Sequence, residues 1–94
     1  MVCLKVNRRD HLLVILGEEC SELHKETCKI LRFGYDHMKW LRLQNEYNEI
    51  IAVMEMLADE GIVVYAQDHI KQAKKDKVER YLLESKKLGT LTEE

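Results

Sequence analysis

The sequence predicts an all-α protein, an antiparallel bundle of three long helices, with room for a short fourth, completed by oligomerisation. The chain has 94 residues, with no proline and four glycines, so residues that interrupt helices are scarce. Apolar residues recur at three- and four-residue steps over long stretches, which is the spacing of a buried helical stripe. A chain of this length has room for one small core, so we expect a single domain over residues 1–94.

The first predicted helix covers residues 11–33 and organises the rest of the chain. A flexible arm over residues 1–7 precedes it. Asn7 or Asp10 can cap the first turn, because either side chain can accept hydrogen bonds from free backbone N–H groups. Gly34 is predicted to end the helix.

Two rows of side chains run along this helix. The predicted buried stripe consists of Leu12, Leu16, Cys20, Leu23, Thr27 and Ile30. Glu19, Glu22 and Glu26 recur at the same steps beside that stripe, whereas solvated acids usually lie opposite a core. A row of carboxylates at the edge of a core repels itself unless a cation neutralises it.

Two further helices follow. Residues 35–41 are predicted to be a connector with room for a short helical turn, and the second helix covers residues 42–60 before Gly61. Its segment 50–57 (IIAVMEML) is apolar nearly all round, which indicates burial against its own chain and against another subunit. The third helix runs from residue 67 or 68 to about residue 88, where Gly89 stops it, and residues 90–94 form a loose tail.

Composition and charge argue against several classes of function. The net charge of −2 is too balanced to indicate binding to nucleic acid or to a membrane surface. The apolar runs are too short to span a bilayer. Three cysteines without framework spacing indicate reduced thiols. We therefore expect a cytoplasmic protein with no nucleic-acid or membrane partner.

Each of the first two helices carries acids three residues apart, and two carboxylates at that spacing point the same way. The pairs are Glu19 with Glu22 and Glu46 with Glu49. In an antiparallel pair of helices they can face one another. Converging carboxylates repel when no ion is bound, and hard divalent cations with oxygen ligands relieve this. Mg²⁺ is the common ion of this kind, and Mn²⁺ can take its place.

These acids, in this order, resemble the signature of the all-α NTP pyrophosphatase superfamily, the MazG-like group. That signature is E-E-x-x-E on one helix and E-x-x-D on the next. Glu18, Glu19 and Glu22 match the first half, Glu46 begins the second, and Glu49 stands where the family usually has aspartate. The flanking segments HLLVILGEECSEL, KILRFG and NEIIAVMEML are also similar to short MazG-like proteins of phages and bacteria. The resemblance covers roughly residues 11–89.

The resemblance implies an Mg²⁺-dependent hydrolase that cleaves a nucleoside triphosphate between its α and β phosphates, giving the monophosphate and pyrophosphate. By residue-by-residue carry-over, the metal ligands would be Glu19, Glu22, Glu46 and Glu49. The catalytic acids would be Glu18, Glu19 and Glu22, with Glu18 as a further ligand or as the group that orients water. Dimers or tetramers that share groups between subunits are also expected of this family.

Seven further residues are candidate substrate contacts. The phosphates would be contacted by Lys74, Lys77 and Tyr81, which share one face of the third helix, and by Lys29 and Arg32. The base would lie against Trp40 or Tyr35.

Simpler interpretations remain open for each pattern. The acids can be a solvated face paired with lysines, and the lysines of the third helix can be solvated charge. Cys20, His24 and Cys28 lie on one helical strip and could hold zinc, although a fourth ligand is missing. A nucleotide-binding regulatory protein without turnover, or a helical interaction module, are the alternatives to the enzyme. A di-iron bundle is disfavoured because its Glu-x-x-His pairs are absent.

Overall fold

A computed structural model describes residues 5–92 of the chain, and all regular secondary structure in that part is helical. The three helices are α1, Arg8–Phe33, α2, His37–Asp59, and α3, Asp68–Lys87. The predicted all-α class and the number of long helices are therefore confirmed. The predicted arm and tail lie partly outside the described residues, at residues 1–4 and 93–94.

The ends of α1 follow from the residues that the sequence places there. The side-chain oxygen Oδ1 of Asn7 accepts a hydrogen bond of 2.8 Å from the backbone N–H of Asp10 and so caps the first turn. At the other end, Gly34 has a φ of +90° and donates its N–H to the carbonyl of Ile30. A residue with a Cβ is strained at that φ, so glycine is the natural residue for this stop.

Helix α2 begins at His37, more than a turn before the predicted start at residue 42. The connector predicted over residues 35–41 is therefore wrong, since most of it is helix. Asp36 caps the new start by accepting from the backbone N–H of Lys39 at 2.8 Å. The Lys39 ammonium donates to the carbonyls of Phe33 and Gly34, at 3.1 and 2.9 Å, and so satisfies the end of the preceding helix. One short segment thus ends α1 and starts α2, which the pattern of apolar residues could not reveal.

The end of α2 is a Schellman turn. The N–H of Gly61 donates to the carbonyl of Ala58, and the N–H of Ile62 donates to that of Leu57, both at 3.0 Å. Ile62 then packs against the core beside Leu57. The predicted glycine stop is confirmed, and it turns the chain so that an apolar residue covers the end of the helix.

Helices α1 and α2 pack against each other in antiparallel orientation. Leu12, near the start of α1, forms a buried cluster with Val53 and Leu57, near the end of α2. At the same end, Nε of Arg8 lies 2.6 Å from Oε1 of Glu60.

The contact faces of α1 and α2 follow a seven-residue repeat in which steps of four and three alternate. The buried and half-buried positions of α1 on this repeat are Leu12, Leu16, Glu19, Leu23, Glu26 and Ile30. Those of α2 are Leu43, Glu46, Ile50, Val53 and Leu57, and the C-cap residue Glu60 continues the repeat. Two long helices that pack side by side keep such a seam in contact. Carboxylates therefore occupy positions inside the helix–helix interface.

This seam corrects part of the predicted stripe of α1. Cys20 and Thr27 are exposed, and Glu19 and Glu26, one residue earlier in each case, take the inward positions. One residue along a helix is a rotation of about 100°, which is enough to exchange a core position for a solvent position.

The chain divides into two compact units between Val64 and Tyr65. The first unit contains α1 and α2, and the second contains α3. None of the residues of α3 is buried, and Gly89 forms the third glycine stop at its end, where the N–H of Thr90 donates to the carbonyl of Ser85. The single domain predicted over residues 1–94 stays a prediction. No helix within residues 5–92 has both the length and the apolar character needed to cross a bilayer.

Candidate metal centre

Three carboxylates meet across the seam between α1 and α2. Glu19 comes from α1, and Glu46 and Glu49 come from successive turns of α2. One oxygen of each lies within 4.8 Å of those of the other two. The antiparallel packing creates this cluster, because it sets the middle of α1 opposite the middle of α2.

The cluster is partly withdrawn from solvent. Glu19 and Glu46 are half-buried, and Glu49 is exposed at the edge of the seam. The Oε2 atoms of Glu19 and Glu46 are buried, and no hydrogen-bond partner for them lies among residues 5–92. Buried polar atoms normally have a partner, so these two oxygens represent unused binding capacity.

The electrostatics of the cluster show the cost of placing three acids together. Loss of hydration on burial is the main cause that raises the pKa of Glu46 to about 7, and its contacts with Glu49 and Glu19 add to this. The pKa of Glu19 is also raised, first by a hydrogen bond with Glu49 and then by burial. At neutral pH the cluster therefore holds, for about half of the time, a proton that an ordinary surface glutamate would have lost.

This donor set fits a hard divalent cation. Carboxylate oxygens are the ligands that Mg²⁺ and Mn²⁺ prefer, and Mg²⁺ commonly uses a few carboxylates and keeps other positions for water or phosphate oxygens. A cation would neutralise the mutual repulsion and would occupy the free Oε2 atoms. Exposed acidic groups also occur without an ion, so the burial of two of the three residues is the feature that favours binding here.

The remaining acids of the motif lie beside this group. Glu18 is exposed on α1. Glu22 is half-buried, and its Oε1 accepts a hydrogen bond of 3.1 Å from Nζ of Lys25. Its charge nevertheless contributes to the raised pKa of Glu19. Within one chain, the described structure thus brings together three of the four predicted metal ligands, Glu19, Glu46 and Glu49.

The predicted phosphate contacts on α1 are not beside the cluster within a single chain. Lys29 and Arg32 follow Glu19 by ten and thirteen residues, which is about 15 and 20 Å along a helix axis. Lys29 also forms an ion pair of 3.3 Å with Glu26.

The predicted contacts on α3 lie in the second unit. Nζ of Lys77 lies 5.7 Å from the centre of the Tyr81 ring, a cation–π contact on the face that these residues share with Lys74.

The predicted base contacts lie at the start of α2. The rings of Tyr35 and Trp40 stack at 5.7 Å between centroids, with an angle of 21° between their planes. Trp40 also lines an apolar cavity of about 540 Å³ between α1 and α2, whose other walls are Leu23, Thr27, Leu43, Gln44 and Tyr47.

This cavity adjoins the acidic cluster, and its lining was not predicted apart from Trp40. Leu23 follows Glu19 by one turn, and Leu43 precedes Glu46 by one turn. A signal for it exists in the sequence: once the seven-residue seam sets Glu19 opposite Glu46, Leu23 must lie opposite Leu43.

The burial of Glu26 was also not predicted from the sequence. Its side chain lies in the seam with 7% of its surface exposed, and its Oε2 has no hydrogen-bond partner among residues 5–92. The ion pair with Lys29 compensates part of this burial.

The chain matches no family model, and neither the curated proteins nor the solved structures include a significant match to it. The likeness to the MazG-like group therefore rests on the motif residues and the segments that flank them, and it stays a prediction.

Proposed function

We propose that this chain is an Mg²⁺-dependent nucleoside triphosphate pyrophosphohydrolase. The observation that carries the proposal is the meeting of Glu19, Glu46 and Glu49 across one helix–helix seam. The E-E-x-x-E and E-x-x-E acids of the sequence include all three. A repulsive cluster inside an interface is costly unless it binds something, and a triphosphate with Mg²⁺ is a ligand that suits it.

Each acid of the motif would have its own role in the reaction. Glu19, Glu46 and Glu49 would hold the ion, which when bound offsets the charge on the phosphate oxygens. Glu22 can swing out of its exposed pair with Lys25 to add a fourth ligand, since such pairs contribute little to stability. Glu18, one position before Glu19, would orient the attacking water and accept its proton.

The apolar cavity supports a site for the nucleoside. The cavity begins one helical turn from the acids. A nucleotide whose phosphates are held by the ion would therefore place its base against Trp40 and its neighbour Tyr35. Apolar walls with a few polar groups are typical of small-molecule sites, and Gln44 and Thr27 supply such groups. Lys29, Arg32, Lys74, Lys77 and Tyr81 remain the proposed phosphate contacts.

Oligomerisation belongs to the same proposal. Large apolar side chains such as Ile51 and Met56 on α2 keep more than a third of their surface exposed. A homodimer or homotetramer would cover them, and it would let cations of one copy reach the acids of another. We propose the cytoplasm as its location, because the free thiols Cys20 and Cys28 suit a reducing compartment.

The direct test is to incubate the full chain with each NTP and dNTP in the presence of Mg²⁺ or Mn²⁺ and to measure pyrophosphate. We expect release that stops on chelation of the metal. Glu19→Gln and Glu49→Gln should each lower the rate by about 100-fold or more, because each removes a charge that binds the ion. Glu55→Gln, an exposed acid on the same helix as Glu49, is the matched control and should keep full activity.

One observation favours a second candidate, a nucleotide-binding regulatory protein without turnover. In the described chain Glu22 is engaged by Lys25 and Glu18 is exposed, so three carboxylates are assembled and no water-orienting acid is among them. Thermal stabilisation by nucleotide with Mg²⁺ but without pyrophosphate would select this candidate. No response to either ligand would leave the helical interaction module.

A further inference from the structure

A second cavity lies on a different part of α1. It has a volume of about 220 Å³, and its walls are His24, Lys25, Cys28, Lys29 and Arg32. No carboxylate lines it, and three of its five residues, Lys25, Lys29 and Arg32, have cationic side chains. A cavity with this lining attracts small anions.

The cavity contains a nucleophile beside a base. Cys28 is a half-buried free thiol, and His24 lies one helical turn before it. Sγ of Cys28 lies 3.7 Å from Nε2 of His24. In the tautomer that carries its proton on Nδ1, the imidazole accepts the thiol proton through Nε2. Reactive cysteines are typically found in partly exposed, electropositive surroundings of this kind.

The cations around Cys28 remain available to a ligand. The ion pair of Lys25 with Glu22 is exposed on both sides, so Lys25 can turn to another anion at little cost. The guanidinium of Arg32 lies 5.8 Å from the centre of the Phe33 ring, and no carboxylate within residues 5–92 forms an ion pair with it. Lys29 keeps its pair with the buried Glu26 and adds positive charge to the wall.

Cys20 offers an internal comparison. It is a free thiol on the same helix and is more exposed than Cys28. Its immediate neighbours along the chain are Glu19 and Ser21, and Glu18 precedes them, so its surroundings are acidic. Accessibility alone would therefore make Cys20 the more reactive thiol, whereas positive charge and a neighbouring base would make Cys28 the more reactive one.

The same geometry disfavours zinc at this strip. Among residues 5–92, the acidic cluster is the one group in which three ligand atoms come together, so Cys20 does not join His24 and Cys28. The lysines and the arginine beside Cys28 would also repel a metal cation.

We propose that Cys28 is a thiol–disulfide exchange site for small disulfides that carry carboxylates. The cations of Lys25 and Arg32 hold the carboxylates of the disulfide, and His24 accepts the proton of the Cys28 thiol and passes it to the departing sulfur. This site is separate from the acidic cluster, because Cys28 follows Glu19 by about 13 Å along the axis of α1. The proposal does not depend on the hydrolase activity.

The exchange conserves atoms and electrons. The Cys28 proton moves to Nε2 of His24, and Sγ attacks one sulfur of the small disulfide. A new S–S bond forms to Sγ as the original S–S bond breaks. The departing sulfur takes the electron pair of the broken bond and the proton from the imidazolium. Cys28 is thereby oxidised to a mixed disulfide, and one half of the small disulfide is reduced to a free thiol.

The test compares two disulfide probes on two single-thiol proteins. Both carry Cys3→Ser, because Cys3 lies outside the described residues; one adds Cys20→Ser and keeps Cys28, and the other adds Cys28→Ser and keeps Cys20. The probes are 5,5′-dithiobis(2-nitrobenzoate), which carries two carboxylates, and the uncharged 2,2′-dithiodipyridine. The measurement is the second-order rate constant for release of the coloured thiol in low salt.

We expect the ratio of the anionic-probe rate to the neutral-probe rate to be about tenfold higher at Cys28 than at Cys20. Adding 0.5 M NaCl should bring the two ratios together, because salt screens exposed charges. Lys25→Gln and Arg32→Gln should each lower the Cys28 ratio without changing its neutral-probe rate. His24→Gln should slow both probes at Cys28 and leave Cys20 unchanged.

Equal ratios at the two thiols, or a Cys28 ratio unaffected by salt and by both cation substitutions, would overturn the proposal. The same ranking can be read on the unaltered chain by substoichiometric labelling followed by peptide mass spectrometry. That measurement decides the question if either single-thiol protein fails to fold.

Discussion

At the scale of single residues, the acids of the seam are the most informative groups. An isolated glutamate is charged at neutral pH whatever its neighbours in the sequence. In this fold, burial and the carboxylates of Glu49 and Glu19 raise the pKa of Glu46 to about 7, so its charge becomes a property of the tertiary structure. Two measurable consequences follow from that shift.

The stability of the metal-free protein should fall as the pH rises from about 4.5 to about 7. The folded chain holds the Glu46 proton up to about pH 7, whereas the unfolded chain releases it near its ordinary pKa of 4.5. Protonation of Glu46 therefore stabilises the folded state. This stabilisation is complete below about pH 4.5 and is lost above about pH 7. Glu46→Gln should flatten this dependence in thermal melts recorded with chelator, and Glu55→Gln should not. A wild-type melting temperature that rises over this interval would contradict the assignment.

Binding of Mg²⁺ should compete with that proton. Below pH 7 the apparent Mg²⁺ affinity should fall by about tenfold per pH unit for one competing proton, and above pH 8 it should level off. Calorimetric titration with MgCl₂ at pH 6, 7 and 8 measures this directly. The release of protons on binding, detected with buffers of different ionisation enthalpy, provides the control. An affinity that does not change between pH 6 and pH 8 would show that the ion binds elsewhere.

At the scale of the elements, the junction between α1 and α2 is where sequence and structure differ most. Asp36 accepts from the backbone N–H of Lys39, and its pKa is lowered first by that hydrogen bond. The Lys39 side chain in turn closes the end of α1. The predicted connector over residues 35–41 missed this helix start at His37. A capping aspartate ahead of a helical turn was the signal that pointed to an earlier helix start.

Asp36→Ala should lower the free energy of unfolding by about 1 kcal/mol, because it removes a helix cap. Asp36→Asn should cost less, since asparagine keeps the oxygen that accepts the hydrogen bond and loses the ion pair of 3.1 Å with Lys39. Urea unfolding followed by circular dichroism measures both. Equal losses in the two variants would mean that the charge of Asp36, and not its capping oxygen, stabilises the junction.

At the scale of the whole molecule, the first unit has a small core. The buried apolar side chains among the described residues are Leu12, Ile30, Val53 and Leu57. Leu57 is the most completely enclosed, with 1% of its surface exposed. So few buried side chains leave little reserve of stability in a chain of this size.

Leu57→Ala should therefore cost about 2–5 kcal/mol, enough to unfold much of the protein at 25 °C. Leu31→Ala is the matched control, because Leu31 lies on α1 with 80% of its surface exposed and should change stability by less than about 0.5 kcal/mol. Denaturant unfolding of both variants distinguishes them. Similar losses at the two positions would place Leu31 in an interface between copies.

The small core and the exposed apolar side chains lead to the same expectation about assembly. We expect sedimentation or light scattering at micromolar concentration to give the mass of a dimer or tetramer of the 11.1 kDa chain. Replacing Ile51 on the exposed side of α2 with glutamate should shift the mass toward the monomer, whereas Glu55→Gln should leave it unchanged. A monodisperse monomer of the unaltered chain would refute the oligomer and, with it, any site shared between copies.

The sequence by itself determined the features that depend on short-range physics. Gly34, Gly61 and Gly89 end helices, and Asn7, one of the two caps that the sequence allowed, caps α1, because caps and stops act within a turn of the residue concerned. The all-α class follows from the same local preferences. The acids that resemble the MazG-like signature were also visible, although the function that they imply stays a prediction.

Only the tertiary structure decided which acids face the interface. A single helix with 3.6 residues per turn placed Cys20 and Thr27 on the buried stripe. Two packed helices instead keep a seam that repeats every 3.5 residues on average, and that seam turns Glu19 and Glu26 inward. The gathering of Glu19 with Glu46 and Glu49, and the raised pKa of Glu46, exist only because a second helix lies against the first.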